Sequence, residues 1–202
     1  MSSKGKSGLD KEGTKEQNRE KTAREFEERV RDVEDIEHLL VMDMDGNILE
    51  EIEGTSENVT SKLTREQRLD SISSHNHPPE IVNGEKIYPN CFSPDDLLSF
   101  AYNNEYEMRM VTSQFSFSLR RKDFNESSKR NTMARVYGAM WKDAFTKIEK
   151  KCNEMVANGT IPDTEEAYMK YGNELLAQMM NKWLHNNALR YGYEFSERSR
   201  KK

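Results

Sequence analysis

The stretch that decides the fold is residues 74–100, SHNHPPEIVNGEKIYPNCFSPDDLLSF. It contains His75 and His77, which are separated by a single residue, and after a long intervening segment a helix-like pattern begins at Ser93. Alternate residues of a β-strand point to the same face, so a strand here presents both imidazoles to one point while Asn76 faces away. The pattern predicts a strand that carries two ligands and leads, through a long excursion, into a helix.

The second half of the stretch has the features of a helix N-terminus. Ser93 is the N-cap, Pro94 occupies the first turn, and the acids Asp95 and Asp96 complement the helix dipole. A serine followed three residues later by an acid is also a capping arrangement that needs no further function. The residues alone leave both interpretations open.

Two neutral imidazoles and one carboxylate suit Zn²⁺, and three protein ligands leave the fourth position to a water molecule. Such a water needs a base that takes its proton and later passes it to a leaving group, a role that suits a glutamate on a neighbouring strand. Cys91, two residues before Ser93, is an alternative ligand, although a lone cysteine is usually a small buried hydrophobe.

The surrounding sequence predicts short strands. Asp45-Gly46 lies between two β-type runs and Asn83-Gly84 between two others, and both dipeptides favour tight hairpin turns. A further hairpin is predicted around Gln114, where apolar and polar residues alternate on either side.

Helical periodicity lies on both sides of these strands. In TAREFEERVRDVEDIE, Phe26, Val30 and Val33 recur at spacings of four and three. After residue 124, methionine and aromatic residues recur at helical spacing in two long runs that are separated near Asn158-Gly159. Such stripes indicate helix packing rather than a cofactor site. The predicted fold class is α/β, a mixed sheet with flanking helices and a helical C-terminal extension.

The 202 residues are polar overall: 34% are hydrophobic and 33% are charged, with a mean hydropathy of −0.99. This composition indicates that part of the chain lies outside a compact core. The predicted organisation is a disordered N-terminal arm over residues 1–22, a metal-binding domain over 23–123, a helical region over 124–195 and a basic tail over 196–202.

Charge and composition also exclude classes of partner. The net charge of −5 argues against a nucleic-acid binder held by phosphate contacts. Two cysteines, Cys91 and Cys152, provide no disulfide framework, which favours a reducing compartment. The N-terminus has no apolar signal-peptide core, and no run approaches the roughly 18 apolar residues that span a bilayer. We therefore expect a cytoplasmic protein without a membrane partner.

The order Glu … His-x-His-Pro … Ser-x-x-Asp resembles the motif of the JAMM (JAB/MPN+) zinc metalloproteases. The sequence HNHP…FSPDDL is especially similar to the corresponding segments of the JAB-like domains of bacterial and phage proteins. The resemblance covers residues 35–121, and it implies that His75, His77 and Asp96 bind zinc.

The same resemblance implies two further roles. Ser93 would stabilise the oxyanion of a tetrahedral intermediate, and Glu37 would be the general acid/base. Glu34, one turn earlier, is the alternative base, but Glu37 directly precedes the strand HLLVMD. The spacing favours Asp96 over Asp95 as the ligand. Eighteen residues lie between His77 and Asp96, more than the usual motif contains, and we expect the excess, the excursion PPEIVNGEKIYPNC over residues 78–91, to be a flap beside the metal.

Three functions stay open. The resemblance implies a Zn²⁺-dependent hydrolase that cleaves a peptide or isopeptide bond in a protein or peptide substrate, in the host cytoplasm if the protein is phage-encoded. The alternative is a non-catalytic JAB-like scaffold in phage assembly or host interaction, forming a homo-oligomer or larger assembly through its C-terminal helices. A third is metal-dependent attack on a non-protein substrate such as a nucleotide.

Overall fold

The computed structural model describes residues 7–122 and 127–200. In these ranges the strands are β1 His38–Met42, β2 Ile48–Glu53, β3 Ile72–Asn76, β4 Glu80–Val82, β5 Glu85–Ile87, β6 Glu107–Val111, β7 Phe115–Arg121 and β8 Tyr193–Ser199. The helices are α1 Ser7–Val30, α2 Arg65–Arg68, α3 Pro94–Asn103, α4 Ser127–Ala157 and α5 Glu165–Asn187, followed by a 3₁₀ turn, Ala188–Tyr191.

Six strands form one mixed sheet in the order β2-β1-β3-β6-β7-β8. Neighbours pair antiparallel except β3 and β6, which are parallel and lie at its centre. β4 and β5 form a separate hairpin. Its turn residues, Asn83 and Gly84, have φ of 50° and 88°, as the predicted tight turn requires. The α/β fold class, a mixed sheet with flanking helices, is confirmed.

The two faces of the sheet are covered by different helices. Helix α1 packs on one face, where Phe26 and Val30 meet Leu40 and Ile72. Helices α3, α4 and α5 cover the other face and share one core with β6 and β7. Because side chains alternate along a strand, the residues of β3 divide between the two faces. Ser74 bonds Glu27 of α1, and His75 lies on the side of α3.

The C-terminal region is not a separate extension. Helices α4 and α5 belong to the same apolar core as α3, and strand β8 pairs along β7 at the edge of the sheet. The predicted tail over 196–202 is therefore wrong for residues 196–199, which lie in β8; residues 201 and 202 lie outside the described ranges. In β8, Tyr193 and Phe195 join the core, while the alternating residues Glu194, Ser196 and Arg198 face the opposite side.

The predicted disordered arm over residues 1–22 is also wrong from Ser7 onward, where α1 begins; residues 1–6 lie outside the described ranges. Polar contacts with the β1–β2 turn hold this part of the helix. Arg19 donates to the carbonyl of Met44 at 2.7 Å and Thr22 to that of Gly46 at 3.1 Å. Such contacts leave no apolar periodicity in the sequence, which explains why the pattern did not indicate a helix here.

Candidate metal centre

His75 and His77 stand at the C-terminal end of β3, between β1 and β6. His75 lies opposite Leu39 of β1 and beside Met110 of β6. His77 follows the strand directly, and its amide donates to the carbonyl of Val111 at 3.0 Å, which prolongs the alignment with β6. The two rings converge, with their Nε2 atoms 3.1 Å apart. The structure therefore brings the two predicted histidines to one point.

Asp96 reaches the same point from the start of α3. Its Oδ1 lies 3.4 Å from Nε2 of His75, and its Oδ2 lies 3.4 Å from Nε2 of His77. Asp96 also completes a capping box, since Ser93 N–H donates to Oδ2 at 2.7 Å and Asp96 N–H donates to Ser93 Oγ at 3.1 Å. One carboxylate thus caps the helix and faces both imidazoles, while Asp95 is exposed.

The start of α3 is anchored in the core. Leu97 and Phe100 are buried on its inner side, and the hydroxyl of Tyr137 in α4 donates to the carbonyl of Phe92 at 2.6 Å, one residue before the N-cap. The position of Asp96 relative to the sheet is therefore set by packing rather than by the long excursion that precedes it.

Glu37 approaches from the residue before β1. Among the described residues, Glu37, His75 and His77 form the group whose possible ligand atoms all lie within 4.8 Å of one another. The backbone of Glu37 is paired with the loop after β2: its N–H donates to Thr55 at 2.8 Å and its carbonyl accepts from Gly54 at 2.8 Å. The alternative base, Glu34, instead pairs with Lys86 at 2.5 Å.

The buried charges shift one another's pKa. Burial raises the pKa of Glu37, with the two imidazoles opposing that change. Burial also disfavours the charged form of Asp96, but His75 and His77 outweigh it and hold the pKa of this carboxyl well below its usual value. For His75, burial acts against the imidazolium, and the nearby carboxylates, Asp96 first, raise its pKa overall. The site thus combines an ionised Asp96 with a Glu37 that takes up a proton more readily than a surface glutamate.

The donor set fits Zn²⁺. A tetrahedral zinc with bonds of about 2.0–2.2 Å to nitrogen and oxygen separates its ligand atoms by about 3.3–3.5 Å. The two Nε2 atoms lie 3.1 Å apart, and each lies 3.4 Å from an oxygen of Asp96, His75 from Oδ1 and His77 from Oδ2, so the carboxylate faces both imidazoles at separations of this order. One feature departs from most metal-ligating histidines: Nδ1 of His77 is buried with no hydrogen-bond partner in the described ranges, whereas this nitrogen usually donates to a neighbour.

The alternative ligand, Cys91, and the histidine of the last helix, His185, both lie outside the group. Burial raises the pKa of the Cys91 thiol to about 12, as expected for a buried cysteine that packs as a small hydrophobe. His185 of α5 lies 3.7 Å from Glu197 and stacks edge-on against Phe195. Neither belongs to the Glu37, His75 and His77 group.

The metal-ligand candidates open onto a cavity of about 610 Å³. Its walls include Ser93, the loop of residues 56–61, and Pro78 and Pro89 at the two ends of the excursion. None of residues 80–87 is among its lining residues. The β4–β5 hairpin instead contacts α5, where Asn83 donates to Glu166 at 2.7 Å. The excursion therefore does form a hairpin, but one held beside the core rather than over the cavity.

Sequence reasoning missed two polar groups near the site. Asn76 was expected only to face away from the metal, yet its amide bonds the backbone on both sides of Glu37. Inside the cavity, Glu105 pairs with Arg68 and accepts from Ser73 at 2.5 Å. Both depend on contacts between distant segments. The one feature of the sequence that could have indicated the first contact is the asparagine between the two histidines, whose side-chain amide can bond a neighbouring backbone.

Comparison of the chain with models of protein families, with curated proteins and with solved structures found no match. Among the described helices, none combines the length and apolar character that crossing a membrane requires. The resemblance to the JAMM motif thus rests on its own residues. The geometry of Glu37, His75, His77 and Asp96 is what indicates a function.

Proposed function

We propose that the protein is a Zn²⁺-dependent hydrolase that cleaves a peptide or isopeptide bond with a metal-activated water. The observation that carries this proposal is the convergence of His75, His77 and Asp96 at mutual distances of 3.1–3.4 Å, beside the buried carboxylate of Glu37. Such a group at the wall of a cavity is suited to a bound metal ion and a substrate at once.

His75, His77 and Asp96 would hold the ion. When bound, zinc supplies Lewis-acid chemistry and lowers the pKa of a coordinated water towards neutrality. Glu37 takes the proton as the water oxygen adds to the carbonyl carbon. It then returns a proton to the amide nitrogen as the carbon–nitrogen bond breaks. The burial that raises the pKa of Glu37 suits both halves of this transfer.

Ser93 stands where it can assist. Its Oγ accepts from the amide of Asp96, and a hydroxyl that accepts one hydrogen bond still has its own hydrogen to donate. Ser93 lines the cavity together with His75 and His77. A donor at this position can bond the oxyanion that forms on the substrate carbonyl, an interaction that lowers the barrier by a few kcal/mol in comparable sites.

Amide bonds are the substrate class that this set of groups suits. The leaving amine of an amide must be protonated as it departs, which requires an acid that holds a proton near neutral pH. The similarity of the motif to that of the JAMM metalloproteases points to the same class of bond.

The test begins with metal content. Protein purified with zinc, and its His75→Ala and His77→Ala variants, are measured by elemental analysis. We expect about one zinc per wild-type chain, loss of zinc in both variants, and retention of zinc in Glu37→Gln. Absence of zinc from the wild-type protein, with no response to added zinc, would refute the proposal.

Activity is tested on a complex peptide mixture and on lysine-linked isopeptides, with new amino groups identified by mass spectrometry. We expect cleavage products with wild-type protein and none with Glu37→Gln. If zinc binds but neither protein yields cleavage products, a non-catalytic scaffold is the better description. Cleavage of nucleotides instead of peptides would reassign the substrate class.

A further inference from the structure

Asn76 lies between the two histidines but points to the other side of β3, where it is 1% exposed. Its Nδ2 donates to the carbonyl oxygen of Ile36 at 3.0 Å, and its Oδ1 accepts from the backbone N–H of His38 at 2.6 Å. Ile36 and His38 are the two residues that flank Glu37. The side chain therefore bonds the backbone immediately before and immediately after the proposed base.

These bonds replace backbone pairing that ends one residue earlier. The last aligned pair of β1 and β3 is Leu39 with His75, and the same antiparallel register places His38 opposite Asn76. Beyond that pair, the side-chain amide of Asn76 takes the place of a backbone peptide group, because it offers one donor, Nδ2, and one acceptor, Oδ1, to the neighbouring strand. Asparagine and glutamine are the side chains that offer both functions in one amide, whereas aspartate lacks the donor.

On the basis of the function proposed above, we propose that Asn76 is a positioning residue that holds the Glu37 carboxylate at its working distance from the metal site. Four successive backbone groups around Glu37 are bonded: two to Asn76, and two to Gly54 and Thr55. Gly54 and Thr55 are exposed, whereas Asn76 is buried in the central strand.

β3 thus carries His75 and the side chain that locates the base, and His77 follows it directly. A change in the position of β3 moves His75, His77 and the anchor of Glu37 together, which preserves their relative geometry. Proton transfer requires hydrogen-bond reach, and a displacement of about 1 Å can lower a rate about 100-fold. Removal of the Asn76 amide is therefore expected to lower kcat by about 10- to 100-fold, with little change in KM.

The test uses Co²⁺ in place of zinc, because its visible absorption bands report the groups around the ion without a known substrate. Full-length wild-type protein, Asn76→Ala, Glu37→Gln and the double variant are loaded with Co²⁺ and compared at one fixed pH. The control is Asn181→Ala, which removes another buried asparagine that donates to a backbone carbonyl, that of Asn90, at 3.0 Å.

We expect all five proteins to bind about one Co²⁺. The bands of Asn76→Ala should be displaced from those of wild type towards those of Glu37→Gln, and the double variant should match Glu37→Gln. The control should match wild type. A purely structural role would give Asn76→Ala the wild-type spectrum, and this result would overturn the inference.

The inference would also be overturned if Asn76→Ala shifts the absorption bands equally far in the wild-type and Glu37→Gln proteins. Asn76 would then act through a group other than Glu37. If Asn76→Ala does not fold, Asn76→Ser is measured in its place; if neither folds, Asn76 is a structural residue and the inference fails. Failure of the wild-type protein to bind Co²⁺ is a different result, which refutes the proposed metal site itself.

Discussion

Asp96 has two proposed roles, as the cap of α3 and as a metal ligand, and a pair of substitutions distinguishes them. Asp96→Asn keeps an oxygen that can accept from the Ser93 amide, so the helix cap is preserved while the negative charge facing His75 and His77 is lost. Ser93→Ala removes the oxygen that accepts from the Asp96 amide but leaves the carboxylate in place. The first variant perturbs the metal site and the second perturbs the cap.

The expected magnitudes follow from linkage. A ligand present at 100 times its dissociation constant raises the free energy of unfolding by about 2.7 kcal/mol. For a chain of this size, 1 kcal/mol shifts Tm by about 2–4 °C, so zinc should raise the wild-type Tm by about 5–11 °C. If Asp96→Asn weakens zinc binding about 100-fold, the same zinc concentration contributes about 0.4 kcal/mol, or about 1–2 °C.

Ser93→Ala should behave differently. Loss of an N-cap costs about 1 kcal/mol, which lowers Tm by about 2–4 °C, both with and without zinc, and leaves the zinc-dependent increment unchanged. The assay is thermal unfolding followed by circular dichroism, at one fixed free zinc concentration and again with a chelator. Each variant is compared with its own metal-free form. A full zinc-dependent increment in Asp96→Asn would refute the reasoning, because Asp96 would then be a cap and not a ligand.

Three further results are expected. Zinc affinity should fall on acidification, because protonated imidazole does not bind metal; since the pKa of His75 is raised, the loss should begin above about pH 6.5, measured by zinc titration across a pH series. Glu105→Gln should cost about 3–5 kcal/mol in denaturant unfolding, because Arg68 loses its buried counter-charge, and adding Arg68→Met should recover part of that loss. Gly54→Ala should destabilise the fold by about 1–3 kcal/mol in urea unfolding, since its Cβ would clash with the backbone oxygen of Asn58. The same substitution should lower peptide cleavage, because the displaced loop bonds the backbone of Glu37.

Elements with local signals could be predicted from the sequence. The positions of the three hairpins and the cap of α3 depend on residues within four positions of one another, and the structure confirms these positions. The turn at Gly46 has the expected positive φ of 87°, but it is longer than two residues. The carboxylate of Asp43 accepts from the amides of Asp45 and Asn47, which stabilises a wider loop that the Asp-Gly pair did not indicate.

Elements that depend on distant partners could not be predicted in the same way. Strand β8 has a charged sequence and becomes a strand because the edge of β7 pairs with it. The bonds of Asn76 to the residues around Glu37 join positions 38 and 40 residues apart. The five site residues predicted from the motif do line one cavity: Glu37, His75, His77, Ser93 and Asp96. Their roles as ligands, base and oxyanion donor stay predictions that the experiments above address.

The long excursion between His77 and Asp96 does not bear on the geometry of the site, because neither end of it positions a ligand. His77 is held by its bond to Val111 in β6. Asp96 is held by the capped start of α3, which Tyr137 anchors through the carbonyl of Phe92. The intervening residues need only reach from one fixed point to the other, and closing a longer loop costs little additional free energy. A site of this kind tolerates insertion between its ligands as long as β3, β6 and α3 stay packed together, and its sensitivity to substitution should be concentrated in those three elements.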